Sequence, residues 1–370
     1  MLDRFVRLCE IPSPTGDERA VADTVLAELR ELGVKATEDG SAEAARSNAG
    51  NLIARIPGRS EGWVAFFAHL DTVPHEGRVK VGEEGGVFRS AGDTILGADN
   101  KAAVTVLMEL AARHATDPPA LGLELVFTVA EEDGLRGANA VDIEALHSPF
   151  GFVLDHATPI GEVIVAAPTH KQLEVTFSGQ EAHAGIRPED GHSAILAAAA
   201  AVTAMDLGRL DEETTANVGV IEGGTASNVV PGTCRLIGEA RSIEGERAAE
   251  VVGAMVDACT WAAGENGCDA DAHVTEIFKG YRLDPEAASV QVAFEALRKQ
   301  GVEPSLVATG GGSDANALVP RGFEAVLLAN GTEANHTPEE SVSAGALTQM
   351  LEVCETAIEV AASQPAVPES

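Results

Sequence analysis

Positive charge is scarce in this chain. Its 370 residues carry 25 Lys and Arg against 58 Asp and Glu, a net charge of −33. Nucleic acids and anionic membranes both need a basic surface, so neither is expected as a partner. Lysine is rarer still: six in all, Lys101 and Lys171 among them. An acidic, Lys-poor, Ala-rich composition fits salt adaptation or codon bias. No apolar run approaches the roughly 20 residues of a membrane span. The opening residues, MLDRFVRLCEIPSPTGDE, lack a basic segment leading into an apolar stretch and a small-residue cleavage site, so the expected location is the cytoplasm. Cysteine is sparse too. Cys9, Cys234, Cys259, Cys268 and Cys354 are odd in number and form no C-x-x-C, so reduced thiols are expected rather than disulfides or a cysteine-rich zinc site. Two catalytic signatures are missing as well. HEGRV at His75 lacks the second histidine of H-E-x-x-H, and GGGSD lacks the lysine of a phosphate loop.

What is present is an ordinary globular apolar content over a length that accommodates two domains. Apolar runs bounded by glycine predict strands at 51–56, 62–70, 121–130 and 151–157, and helical periodicity appears at 17–32, 99–115 and around 137–147. Strands alternating with helices imply an α/β domain built on a mixed, mostly parallel central sheet flanked by helices. The pattern changes after VIVAAP. Half-buried strands are expected at 171–179, 215–224, 233–243 and 271–278, with helices at 190–205 and 245–264, the composition of a small two-layer α+β domain. The α/β pattern resumes with a helix at 286–300, strands at 304–309 and 323–329, and a final helix at 345–362, while the last residues, SQPAVPES, read as a frayed tail. A domain inserted at 169–277 into a discontinuous larger domain (1–168 and 278–370) explains this order.

Chemistry-bearing residues gather where strands end. FFAHLDTVP places His69 and Asp71 two apart, on one face of the strand terminus. VFTVAEED ends in Glu131, Glu132 and Asp133; FVLDHA ends in Asp155 and His156; GADNKAA sets Asp99 at a helix start; LLANGTEANHTPEE carries His336. Sites in open α/β sheets form outside the carboxyl ends of strands. Acids and histidines crowded there repel or stay under-satisfied unless a cation lies between them. Each residue alone has an ordinary explanation. Asp99 fits an N-cap, the acidic triplet fits a solvated turn, Arg241 fits a surface salt bridge and His183 fits a capped turn. The set as a whole carries the inference.

In order along the chain, FAHLDTVP, GADNKAA, TVAEEDGLRGA, FVLDHATPIGEVIVAAP, FSGQEAHAGIRPEDGHSAI, EGGTASNVVPGTCRLIGEARS and GGGSDANAL resemble the peptidase T-like branch of the zinc metallopeptidase superfamily that includes aminoacylases, carboxypeptidase G and desuccinylases. The resemblance spans nearly the whole chain. It implies two zinc ions per subunit, with cobalt or manganese as alternatives: His69, Asp99 and Asp155 on one, Asp99, Glu132 and His336 on the other, Asp99 bridging. Asp71 then orients the His69 ring. Glu131 is the implied general base, taking a proton from the bridging water and passing it to the leaving nitrogen. From the inserted domain, His183 is implied to donate to the developing oxyanion, and Asn228 and Arg241 to grip backbone or carboxylate. Gly311, Gly312, Ser313 and Asp314 are expected to shape the pocket floor with bare backbone. The resemblance also implies a homodimer through the inserted domain, with His183 reaching the partner's metals. The activity so implied is exopeptidase cleavage of short peptides, tripeptide aminopeptidase-like. A related deacylase of N-acyl amino acids, and a non-catalytic metal-dependent binding protein on the same fold, remain open alternatives.

Overall fold

The computed structural model describes residues 1–363. All but the first residue of the tail expected to fray lies outside the described residues. The chain divides into two compact units: Met1–Val165, Leu283–Ala308 and Ser313–Ser370 form the first, and Ala166–Arg282 with Thr309–Gly312 the second. These bounds lie slightly outside the 169–277 expected from the sequence. Among the described residues no helix is long and apolar enough to cross a membrane.

The first unit is built on a sheet whose strands run in the order Lys35–Glu38, Leu52–Ile56, Gly122–Thr128, Trp63–His69, Phe150–His156, Glu324–Ala329 and Glu162–Ala167. The four from Gly122–Thr128 to Glu324–Ala329 are mutually parallel, and the flanking pairs are antiparallel. The sheet is therefore mixed and mostly parallel at its centre. Gly122–Thr128 is buried at every position and Trp63–His69 at all but its first, as strands covered on both faces must be. Helix Ala98–His114 packs on Trp63–His69 and Phe150–His156, and helix Ala288–Lys299 on Phe150–His156 and Glu324–Ala329. Parallel alignment brings the carboxyl ends of the four central strands to one edge, with Thr128 directly opposite His69 in register.

Two features depart from expectation. The helix read around 137–147 is a five-residue helix, Arg136–Ala140, followed by a separate 3-10 turn, Ile143–Ala145. Val141 takes an extended ψ of 128°, and the Asp142 carboxylate accepts the Glu144 amide at 3.2 Å, so the backbone starts afresh there. A hairpin of Val81–Glu84 and Val87–Ser90 was not expected; it turns on Gly85 and Gly86, at φ 61° and 81°, the conformation of a two-residue type I′ connection.

The second unit has two layers. Five antiparallel strands run in the order Gly208–Arg209, Thr214–Gly223, Thr233–Ser242, Thr169–Ser178, Asp269–Phe278. Helices Ala194–Ala204 and Gly245–Glu265 pack on them. Strict alternation of buried and half-buried residues along Cys234–Ser242 points one face of that strand at the helices. Leu173, Val175, Phe177 and Leu236 meet Ala197, Ala201, Val252 and Met255 in the core. Ser193 caps the first helix through the Leu196 amide, so that helix starts at Ala194 rather than at 190. All five cysteines are free and buried.

Candidate metal centre

The carboxyl edge of the parallel strands gathers two imidazoles and four carboxylates. His69, at the last position of its strand, is 1% exposed. Its Nε2 lies 3.2 Å from Asp99 Oδ1 and 3.3 Å from Asp155 Oδ1. His336 Nε2 lies 3.1 Å from Asp99 Oδ2 and 3.1 Å from Glu132 Oε1. Asp99 thus offers one oxygen to each histidine and stands in both groups. Three sets bring their ligand atoms within 4.8 Å of one another: His69 with Asp99 and Asp155, Asp99 with Glu132 and His336, and His69 with Glu131 and Glu132.

These spacings suit metal ions. Ligand atoms on bonds of 2.0–2.2 Å at tetrahedral angles stand about 3.3–3.6 Å apart, close to the nitrogen–oxygen separations here. Imidazole nitrogen with carboxylate oxygen is a zinc-type donor set that cobalt and manganese also accept. The electrostatics agree. Burial, helped by the Asp99 charge, pushes Asp155 up to about 8 against the pull of His69. Burial and the Asp155 charge raise Glu131 well above the usual glutamate value. Burial opposes charge on His69, but Asp155, Asp71 and Asp99 outweigh it and raise the imidazole well above its usual value. Hydrogen bonds to Asp99 and Glu132 carry His336 to about 10. Such a set needs positive charge among its carboxylates, from protons or from metal ions.

The backbone that presents these groups is held by buried carboxylates. Asp71 is fully buried; its Oδ1 accepts the Glu131 amide at 3.0 Å and its Oδ2 the Glu132 amide at 3.1 Å. His69 Nδ1 is 3.4 Å from Asp71 Oδ1 and 3.1 Å from the Asp71 carbonyl. Asp71 therefore touches the His69 ring and also fixes where both glutamates start. One residue earlier, Glu18 accepts the Ala130 amide at 3.0 Å. Ala130 and His336 take left-handed backbone, φ 51° and 65°, which costs a non-glycine residue about 1–2 kcal/mol and concentrates at functional sites. Neither Glu18 nor Thr15, whose hydroxyl reaches Asp71 Oδ2 at 2.9 Å, stood out in the sequence. Asp314 contributes a side chain rather than bare backbone. It is 1% exposed, takes the Thr128 hydroxyl on Oδ2 at 2.5 Å, and has no hydrogen-bond partner among the described residues for its buried Oδ1. Asp99 is no N-cap: Gly97 occupies that place, and Asp99 itself has extended backbone (φ −82°, ψ 103°).

The three remaining candidates lie in the second unit. His183 and Asn228 are exposed neighbours, joined where the Ala184 amide donates to the Asn228 carbonyl at 2.9 Å. His183 Nδ1 accepts the Gly185 amide at 3.2 Å. Arg241 is ion-paired with Glu239 at 3.1 Å and donates to the Gly310 carbonyl at 3.1 Å.

Comparison with known proteins places this arrangement. A model described as a peptidase dimerisation domain matches residues 165–267, and one for peptidase family M28 matches 51–154. The protein YqjE of Bacillus subtilis (strain 168) is 36% identical, with 98% of each chain covered. The crystal structure of aminopeptidase PepT from Bacillus cereus is 36% identical over 98% of both chains with a TM-score of 0.87; that of a tripeptidase from Staphylococcus aureus is 33% identical over 98% of both with a TM-score of 0.92. The chain belongs to the M20 peptidase family. Within it, the peptidase T-like resemblance read from the motifs holds. The M20 fold accounts for the discontinuous first unit, and the dimerisation-domain match covers most of the second.

Proposed function

We propose that this M20 peptidase is a metal-dependent exopeptidase of tripeptide aminopeptidase type, holding two zinc ions and using Glu131 as general base. The observation that carries this reading is the placement of Asp99, whose two oxygens serve two histidines that each have a carboxylate of their own. His69, Asp99 and Asp155 would hold one ion, and Asp99, Glu132 and His336 the other. Bound there, the ions supply Lewis acidity to the scissile carbonyl and make a water acidic enough to act as nucleophile near neutral pH.

The chain's own residues do the rest. Glu131 is 8% exposed, and the Asp155 charge adds to burial in favouring its protonated form. A carboxylate so placed accepts a proton from the attacking water and returns it to the leaving nitrogen. Asp71 sets the start of Glu131 and Glu132 through their amides and steadies the His69 ring. His183, Asn228 and Arg241 serve substrate binding, His183 as donor to the developing oxyanion and Arg241 towards a carboxylate. Two copies pair as a homodimer through the second unit, a reading supported by the dimerisation-domain match.

The test uses one tripeptide with a free amine and the same peptide acetylated at that amine, offered to the zinc-loaded protein. Cleavage of the free peptide alone is expected, because an acidic site attracts the ammonium group. Faster hydrolysis of the acetylated compound would replace the exopeptidase with a deacylase. Zinc binding with neither compound hydrolysed would leave a binding protein.

A further inference from the structure

Four residues beyond His336 the chain buries a carboxylate that belongs to neither ligand group. Glu340 is 1% exposed. Its Oε2 accepts the amides of Leu96 and Gly97, each at 2.8 Å, and its Oε1 accepts the amide of Asp99 at 2.8 Å. All three donors lie in the segment that delivers Asp99, and the acceptor lies in the segment that delivers His336. No regular helical ladder secures the Asp99 end. Gly97 turns the chain at φ 76°, and Asp99 and Asn100 both depart from helical backbone. Amides at a helix start have no partner within the helix, and a buried one must find an acceptor elsewhere. Glu340 supplies it for three of them at once.

We propose that Glu340 is the positioning residue of the Asp99–Glu132–His336 ion site. By tying the Asp99 backbone to the His336 segment, it fixes the separation of two ligands that only this group draws from both segments. The His69–Asp99–Asp155 group has a separate support, since Asp71 contacts the His69 ring and Asp155 lies within its own parallel strand, next to its last residue. Glu340 touches three amides and acts on the ions through Asp99 and His336. The proposal rests on the two-ion reading above.

Glu340→Gln separates this role from general support. Glutamine has the same size but keeps one acceptor oxygen, the other becoming an NH₂ donor. Retaining the two bonds at the Oε2 position turns that NH₂ towards the Asp99 N–H, donor against donor. The lesion then falls on the ligand residue's own amide. Residues that orient ligands typically change metal affinity about 10–100-fold when altered.

The experiment titrates Zn²⁺ by calorimetry into the metal-stripped full chain, wild type and Glu340→Gln. Parallel Co²⁺ titrations record the visible spectrum of each site, and thermal melts are taken in EDTA. The wild type should bind two ions. The variant should bind one with little change and the other about 10–100-fold more weakly, with an altered Co²⁺ spectrum for that second ion only. Two ions held at wild-type affinity, or an equal loss at both sites, would overturn the proposal. A wild type that binds fewer than two ions would remove the two-ion reading and the proposal with it. If Glu340→Gln does not fold, amide hydrogen exchange on the wild type decides: Leu96, Gly97 and Asp99 must exchange slowly, and exchange at the rate of free amides would overturn the lock.

Discussion

Replacing Asp71 by asparagine strikes the point where His69, Glu131 and Glu132 meet. The carboxylate is fully buried and takes the Glu131 amide on Oδ1, the Glu132 amide and the Thr15 hydroxyl on Oδ2, with His69 Nδ1 3.4 Å from Oδ1. Burial alone would raise its pKa, yet His69 and the two amides hold it below the usual aspartate range, so these partners act on the charged form. Asparagine retains one oxygen. Kept at the Oδ1 position, that oxygen still serves Glu131 and His69, and the new NH₂ faces the Glu132 N–H. Thr15 loses least, because its hydroxyl already has the Thr72 carbonyl at 3.3 Å as a second partner. One buried backbone donor is then unsatisfied, at about 1–3 kcal/mol, and the surviving bonds lose their charge, about 1 kcal/mol more. Asp71→Asn should therefore lower stability by about 2–4 kcal/mol in urea denaturation. It should also reduce turnover about 10–100-fold, since Glu131 and Glu132, the proposed base and ligand, lose their common anchor. A variant with wild-type midpoint and wild-type kcat would refute the anchoring role.

Three further outcomes are expected. Stripping the ions with EDTA should lower the melting temperature, because ions at about 100 times their dissociation constant stabilise the folded chain by about 2.7 kcal/mol; equal melts with and without EDTA would contradict the metal reading. The His170 imidazole, its Nε2 3.0 Å from Glu239 Oε2, together with Arg241 holds Glu239 at about 2, and a depressed carboxylate stabilises above its unfolded value and loses that contribution as pH falls through the folded one. Stability of the second unit should thus decline between about pH 4.5 and 2, and Glu239→Gln should flatten that decline in acid titrations followed by circular dichroism. Gly137→Ala would set a methyl 2.1 Å from the Val129 carbonyl and 2.6 Å from Asn51 Oδ1, just upstream of Glu131, and should cost about 1–3 kcal/mol in the same urea assay.

Most of the candidate site residues were readable in the sequence because they sit at strand ends. Apolar runs that stop at His69, Glu131 and Asp155 announce the strands, and parallel packing brings such ends to one edge. Asp99 and His336 were harder, lying beyond Gly97 and in a left-handed loop, and only the ordered motifs picked them out. Glu18 and Glu340 could not be told from the rest of 58 acidic residues, because what distinguishes them is burial against amides far along the chain, and Asp314 was picked out for its backbone rather than for its buried carboxylate. Lys101 hid in the same way: a lysine on a largely apolar helix, it is fully buried with its amine 2.5 Å from the Ser13 hydroxyl. The hairpin on Gly85 and Gly86 did carry a local signal, the Gly-Gly pair, but its flanking strands, VGEE and VFRS, are too short and too polar for alternation to register.

Bound ions and tripeptide turnover, measured together on the wild type and on Glu131→Gln, decide whether this centre works as a base-assisted dinuclear hydrolase. Glutamine keeps the shape of the side chain but cannot accept the proton, and no ligand is removed. A general-base role predicts two ions per chain in both proteins and a kcat lowered about 10²–10⁴-fold in the variant. Two ions bound and a near wild-type kcat in Glu131→Gln would contradict it.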